Sequence, residues 1–314
     1  MTLTQLEYVL AVNKHQHFGR AAESCFVTQP TLSMQLQKLE DELQVIIFDR
    51  SKSPIQPTDE GKNIIEQSKK IILEQKKLFS IIDENKGEVT GDFKLSVIPT
   101  LSPFIIPLFI QDFTEKYPKV NLMIKENKTE EIIELLKNDE VDAGILVTPI
   151  HEKSIIEKIL YYEPFHLFVS NKHPLSKKTK IKEEFLDIDE IWLLNKGNCF
   201  RDQVLNICQQ RNSSSGSNPI NFESGNFETL KNMVLTGSGY TLLPDMCAKQ
   251  LPPNQKKMIR PFQKPIPTRE VSLVHSKNCV KMKVMGALEE EILSVVPDNL
   301  RDFNQKNQEI IEIK

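Results

Sequence analysis

The chain has 314 residues, which at about 150 residues per domain suggests two domains, or three if one is small, and excludes a single small one. Hydrophobic residues make up 39% and charged residues 26%, with 11 Gly and 18 Pro, a composition that excludes fibrous, collagenous and disordered classes. The formal net charge is -3, from 40 Lys+Arg against 43 Asp+Glu, so no broad basic field announces a nucleic-acid partner.

The first residues, Met1-Thr2-Leu3-Thr4-Gln5-Leu6-Glu7, lack the basic start and apolar core of a signal peptide, and no later window is apolar for the length of a membrane span. Thr4 and Glu7 have the spacing of a capping box, starting a helix with Leu6, Val9, Leu10 and Val12 on one face. A short helix from Phe18 to Cys25, rich in small residues, ends before Val27-Thr28-Gln29-Pro30, which opens a third helix with Pro30 in its first turn. There Leu32, Leu36, Leu39 and Leu43 form a buried stripe, which turns Gln29, Pro30, Thr31, Ser33, Met34, Gln37 and Lys38 outward as a polar face. Two short helices joined by a tight turn, the second with such a face, describe a helix-turn-helix. Residues 48 to 58 then read as a hairpin wing whose cations Arg50 and Lys52 can pair with DNA phosphates.

From Thr58 a long helical pattern runs to about Glu84, with Ile64, Ile65, Ile71, Ile72, Leu78, Ile81 and Ile82 on a seam of near-heptad period. A second copy of the chain is the simplest partner for that seam, so Ile64, Ile71, Ile72 and Leu78 are candidate dimerisation residues. Phe18-Gly19-Arg20-Ala21-Ala22-Glu23-Ser24-Cys25, Thr28-Gln29-Pro30-Thr31-Leu32-Ser33, Leu39-Glu40-Asp41-Glu42-Leu43 and Phe48-Asp49-Arg50 together resemble the DNA-binding domain of LysR-type transcriptional regulators.

Past Gly87 the pattern changes to α/β alternation. Strands are expected at Lys94 to Ile98, Val120 to Glu126 and Val141 to Val147, with helices from Pro103 to Lys116 and from Thr129 to Asn138, the latter capped by Thr129. A second lobe is expected from Phe165 to Val169 onward, with strands at Ile191 to Leu194, Ile220 to Glu223 and Tyr240 to Leu243, a helix from Phe227 to Leu235 stopped at Gly237-Ser238-Gly239, and a surface loop at Ser213 to Pro219. The family resemblance implies an effector domain of two periplasmic-binding-protein-like α/β lobes with a cleft, the chain returning to the first lobe near Val271 to Val274 and the helix from Met282 to Val296. The expected organisation is therefore a winged helix-turn-helix over 1–58, a linker and dimerisation helix over 59–87, and a two-lobed effector domain over 88–314. Lobe I covers about 88–161 and 268–300, and lobe II about 162–267.

The chain has 5 cysteines and no CxxC pair, which fits a reducing cytoplasm better than a secreted disulfide framework. Cys199 is placed at a helix N-terminus after a strand, where the helix dipole and nearby Arg201 would favour the thiolate. On a continuous helix Cys208 would lie about 13.5 Å away, on the opposite face. A disulfide needs Cα atoms within about 7 Å, so this pair could bridge only if the helix unwound. Taken alone, the spacing favours a capping-region cysteine and a small core residue, as most intracellular cysteines are, over a switch. Cys25, Cys247 and Cys279 read as packing. His275 and Cys279 have no second pair to complete a metal site, and no phosphate loop, flavin fingerprint or nucleophile elbow appears, so neither metal nor cofactor is expected.

Gly197-x-Cys199-x-Arg201-Asp202-Gln203 with Cys208, then residues 228–234 and 237–244, resemble the hydrogen-peroxide-sensing branch of the LysR family over the whole chain. That resemblance implies a peroxidatic Cys199 and a resolving Cys208. It also implies a peroxide pocket with Thr100, Thr129, Asp202 and Arg269, and Asn198 where the family usually has histidine. Asn198 can donate a hydrogen bond but cannot carry a proton charge near neutral pH. The implied partners are promoter DNA, a second or further copies of the chain as dimer or tetramer, RNA polymerase, hydrogen peroxide as signal and a thiol reductant for reset. Two rivals stand beside it: a LysR-type regulator answering a small-molecule inducer in the interlobe cleft, and a thiol peroxidase. The enzyme is disfavoured because no cysteine follows a threonine by three residues.

Overall fold

The computed structural model describes residues 1–85, 88–208, 224–237 and 239–312. It divides into two compact units, Met1–Glu88 and Val89–Lys314. The expected strand at Ile220 to Glu223 and the loop at Ser213 to Pro219 lie outside the described residues, as does Ser238.

The first unit contains α1 (Leu3–His15), α2 (Phe18–Ser24), α3 (Gln29–Leu43), the strands β1 (Phe48–Asp49) and β2 (Gln56–Pro57), and α4 (Asp59–Asn85). Helix α1 starts earlier than Thr4 and Glu7 would place it. Thr2 Oγ1 accepts the Gln5 N–H at 3.2 Å and Gln5 Oε1 accepts the Thr2 N–H at 2.8 Å, a reciprocal box that leaves Thr4 inside the first turn. The leucine stripe of α3 is buried through Leu32, Leu36 and Leu39 against Leu6, Val9 and Val12 of α1 and Ala21 and Ala22 of α2. Strands β1 and β2 pair antiparallel as the wing. Thr58 caps α4, its Oγ1 accepting the Gly61 N–H at 2.9 Å. The isoleucine seam divides. Ile65 and Ile72 are core residues of this unit, with Ile64 and Ile71 packed partly against them, whereas Leu78 stays 64% exposed. The seam is therefore used within the chain over its first half, because α1 covers it there.

The second unit runs through β3 (Gly91–Val97), α5 (Ser102–Lys116), β4 (Val120–Glu126), α6 (Thr129–Lys137), β5 (Ala143–Thr148) and β6 (Ile155–Val169). It continues through α7 (Cys199–Cys208), α8 (Phe227–Thr236), β7 (Tyr240–Pro244), α9 (Asp245–Lys249), α10 (Pro253–Lys256), β8 (Ile259–Pro261) and β9 (Ile266–Ser276). The last elements are α11 (Met282–Val295), α12 (Asp298–Arg301) and β10 (Gln308–Ile310). Sheet neighbours follow the order β4-β3-β5-β9-β6-β7, with β8 beside β6 and β10 beside β9. Strand β3 pairs parallel with β4 and β5, the βαβαβ lobe, and β9 adds antiparallel to β5. The long strands β6 and β9 pair antiparallel from Ile155 to Pro164 and carry the chain between lobes. Their register sets Glu163 opposite Arg269.

Two local expectations give way. Ile191 to Leu194 is not a strand: Ile191 bridges Tyr240 while Leu194 bridges Ser224, so no two neighbours pair with one partner. Thr241 Oγ1 donates to the Trp192 carbonyl at 2.8 Å, satisfying by side chain what a ladder would have satisfied. Thr129 is the first residue of α6 rather than its cap, a position held by Lys128. Among the described residues no helix is long and apolar enough to cross a membrane.

Candidate functional site

Helix α7 begins at Cys199, as its sequence suggested, and runs unbroken to Cys208. Asn198 precedes it and acts as a cap, its Oδ1 accepting the Phe200 N–H at 3.1 Å. Phe200 anchors the helix between Phe165, at 5.3 Å between ring centres, and Phe227, at 4.8 Å edge-on. Both cysteines carry free thiols and are 6% exposed. A continuous helix places them about 13.5 Å apart, so the bridge is excluded while α7 stands.

Thr129 brings its hydroxyl to Cys199. Because it does not cap α6, its Oγ1 is buried without a hydrogen-bond partner of ordinary geometry, and it acts on the Cys199 thiol. Burial pushes the Cys199 thiol up from its ordinary value, while the Thr129 hydroxyl and the Arg269 guanidinium pull the other way. This corrects the role expected of Arg201. Its guanidinium donates to the Leu194 carbonyl at 2.7 Å, and the cation that acts on the sulfur is Arg269, from β9. Cys208 lacks such partners: burial, with Glu183 and Asp187 nearby, pushes it up to about 12.

Arg269 is fully buried. It donates to Glu163 Oε2 through Nε at 2.9 Å and Nη2 at 2.7 Å, and to the Thr100 carbonyl at 3.3 Å. Its guanidinium lies 5.6 Å from the Phe200 ring centre. Thr100 thus belongs to the Arg269 network, with its Oγ1 3.5 Å from Nη1. Asp202 is partly buried, and burial raises its carboxyl above the ordinary value.

A cavity of about 10 Å³ opens beside Cys199, lined by Ile98, Pro99, Lys128, Thr129, Gly197, Asn198 and Cys199. That is room for about one water-sized molecule. The structure therefore gathers Thr129, Asn198 and Cys199 around one small space, with Arg269 and Thr100 joined beside it, and places Asp202 outside the lining. Gly197 has φ +78°, and a side chain there would meet Lys128 Nζ at 3.2 Å, so the lysine lies across the glycine.

Sequence reasoning missed Glu163, Lys128 and the clamp on the far side of α7. Gln203, fully buried, donates to the Ile311 carbonyl at 2.6 Å, and Asn206 donates to the Glu312 carbonyl at 3.0 Å. Strand β10 is itself held parallel to β9 at Ile266 to Thr268. The one signal available for Glu163 was a carboxylate set among the apolar and aromatic residues from Leu160 to Phe165 of β6.

In the first unit the face of α3 is placed as expected: Gln29, Pro30, Thr31, Met34, Gln37 and Lys38 are exposed and Ser33 is half-buried. The wing cations are engaged. Arg50 pairs with Glu40 at 2.7 Å and lies 5.3 Å from the Phe18 ring centre, and Lys52 Nζ is 3.8 Å from Asp49.

Residues 3–62 match the model of the bacterial regulatory helix-turn-helix protein, lysR family, and residues 86–296 match the LysR substrate binding domain. The chain belongs to the LysR family of transcriptional regulators. Among relatives of this LysR-type regulator, a hydrogen peroxide-inducible genes activator of Dickeya chrysanthemi is 32% identical over 275 residues, covering 88% of this chain and 89% of the relative. The DNA-binding transcriptional dual regulator OxyR of Escherichia coli K12 is 32% identical over 278 residues, with 88% and 89% covered. Full-length OxyR C199D from Pseudomonas aeruginosa superposes with a TM-score of 0.75 at 33% identity, covering 94% of this chain and 99% of that one.

Proposed function

We propose that this LysR-type regulator binds promoter DNA as an oligomer and is switched by hydrogen peroxide through Cys199 and Cys208. The observation that carries the reading is the water-sized cavity lined by Cys199 and Thr129, with the Thr129 hydroxyl buried and the Arg269 charge acting on the thiol. A space of about 10 Å³ suits peroxide far better than an organic inducer. The Cys199 thiolate attacks one peroxide oxygen: the S–O bond forms, the O–O bond breaks, and hydroxide leaves and takes up a proton as water. The Cys208 sulfur then displaces the hydroxyl of the sulfenic acid, giving the disulfide and a second water. A thiol reductant returns the two electrons for reset.

Since α7 separates the sulfurs, the second step requires the helix to open, which also breaks the bonds of Gln203 and Asn206 to the C-terminal segment. The reduced and oxidised chains are then two distinct populations rather than a graded series. The altered effector domain would change how the oligomer sits on DNA and meets RNA polymerase. Base reading falls to the α3 face, and phosphate contact to the wing. Leu78, exposed on α4, is the position at which a second copy is best tested, because Ile72 already serves its own domain. Leu78→Glu should lower the mass seen by light scattering, and an unchanged mass would remove the α4 seam as the dimer contact.

The deciding experiment is mass spectrometry of the thiols after stoichiometric peroxide, with hydrogen exchange on residues 200–208. The reading expects a Cys199 to Cys208 disulfide together with lost helical protection. A disulfide formed with α7 still protected, or no Cys199 oxidation at all, would overturn it. Peroxide turnover with thioredoxin as reductant separates the regulator from a peroxidase.

A further inference from the structure

Helix α2 ends in a complete Schellman motif. The Phe26 N–H donates to the Glu23 carbonyl at 3.1 Å and the Val27 N–H donates to the Ala22 carbonyl at 3.0 Å, with Cys25 as the cap. The position after the cap must turn left-handed, and glycine or asparagine normally fills it. Here it is phenylalanine, at φ +57°. Its ring is 97% exposed, the largest value among the exposed apolar side chains of the described residues. Val27, one residue on, supplies the apolar contact that such a motif uses, packing against the core of the unit. The ring of Phe26 therefore contributes nothing to that contact. Folding explains neither the strained backbone nor the apolar ring left in water.

The location supplies the reason. Phe26 stands two residues before Thr28, the N-cap of α3, and the N-terminal residues of a recognition helix are those that meet base edges in the major groove. The residues that follow it, Thr28, Gln29, Pro30 and Thr31, are all exposed, and Met34 adds a second exposed apolar side chain, at 61%, one turn further along α3. The exposed polar start of α3 is thus preceded in the chain, at the turn, by an exposed apolar ring. In the major groove the apolar feature that distinguishes one base pair from another is the C5-methyl group of thymine.

We propose that Phe26 is a specificity-determining residue whose ring contacts a thymine methyl at the edge of the half-site. The inference rests on the DNA-binding reading of the first unit and is independent of the peroxide chemistry. It is tested with full-length protein and duplexes selected by that protein from a random pool, compared with scrambled duplexes, for the wild type and for Phe26→Gly and Phe26→Asn. Both variants suit a left-handed backbone, so the motif survives and the thermal midpoint should rise in the glycine variant. Affinity for the selected duplex should fall about tenfold, while affinity for scrambled duplex and the salt slope stay as they were. Replacing thymine by uracil at one position per half-site should weaken the wild type severalfold and leave both variants unaffected. Unchanged affinity in both variants, equal losses on selected and scrambled duplexes, or a uracil penalty that persists in the variants would each overturn the proposal. A wild-type chain that selects no sequence from the pool would instead remove the DNA-binding reading beneath it.

Discussion

The two ends of α7 carry the same residue at the same burial, 6% exposed, and differ in what the rest of the chain brings to them. At Cys199 the hydroxyl of Thr129 and the charge of Arg269 oppose the cost of burial, and a small cavity opens beside the residue. At Cys208 burial acts with nearby carboxylates and the thiol is pushed up to about 12. Cys247, 2% exposed, is likewise pushed up to about 12 by burial, although Lys231 and Arg269 pull the other way. At both, burial is the largest influence and favours the thiol over the thiolate. The Thr129 hydroxyl, supplied from α6, and the small cavity it lines with Cys199 single out that cysteine among the three as the candidate for attack on peroxide.

The contrast breaks most completely if the cysteines are exchanged in role. Cys199→Ser should show no peroxide oxidation at Cys208, and Cys208→Ser should stop at the sulfenic acid or pass to sulfinic acid, both read by mass spectrometry of intact protein. Equal reactivity of the two single variants would erase the distinction between the ends of the helix.

The next effect concerns the cation. Arg269→Met leaves Glu163 buried without its partner and should cost about 3–5 kcal/mol in denaturant unfolding. Adding Glu163→Gln should restore much of that stability without restoring peroxide reactivity, because stability needs the pair whereas the sulfur needs the charge. Recovery of both together would show that Arg269 acts only by holding the fold.

Thr129→Val removes the hydroxyl that faces the sulfur at nearly constant volume. Sulfenic acid formation, followed by trapping with a dimedone probe, should slow about tenfold, the scale of one lost hydrogen bond to a charged group. The same probe should report a rate that climbs from about pH 7 to about pH 9, because the thiolate is the nucleophile and burial holds its pKa up. Lys128→Gln, at the cavity wall, should give a smaller slowing.

For Cys208 the sign is the opposite of a stabilising ionisation. Its thiol stays protonated in the helix up to about 12, whereas an opened segment ionises near the ordinary 9.0. Below that ordinary value both states bind the proton and opening is insensitive to pH. Above it, helix stability should fall by up to about 1.4 kcal/mol per pH unit until the folded value is reached. Hydrogen exchange of residues 200–208, corrected for intrinsic rates, measures this, and Cys208→Ser should reduce the dependence to the part contributed by Cys199, whose thiol burial also raises. The smallest effect belongs to Asn206→Ala, which removes the bond to the Glu312 carbonyl and should ease opening by about 1 kcal/mol.

The first unit was legible almost residue by residue, since helix periodicity, turn chemistry and a leucine stripe are local signals. Its largest departures come where a neighbouring element intervened, as α1 did in covering Ile65 and Ile72. In the second unit the sequence determined the alternation of strands and helices, the helix from Cys199 to Cys208, and the geometric bar to a bridge across it. Only the tertiary structure decided which groups act on the sulfur. Arg269 reaches the site because β6 and β9 pair in a register that sets it against Glu163, and Thr129 because Lys128 takes the cap and leaves its hydroxyl unspent. The cavity at Cys199 and the clamp from Gln203 and Asn206 to the C-terminal segment arise in the same way, from chains brought together across the sheet. Periodicity records which face a residue turns inward, but not which distant residue it meets there, so a site built from long-range partners is settled by packing and strand register.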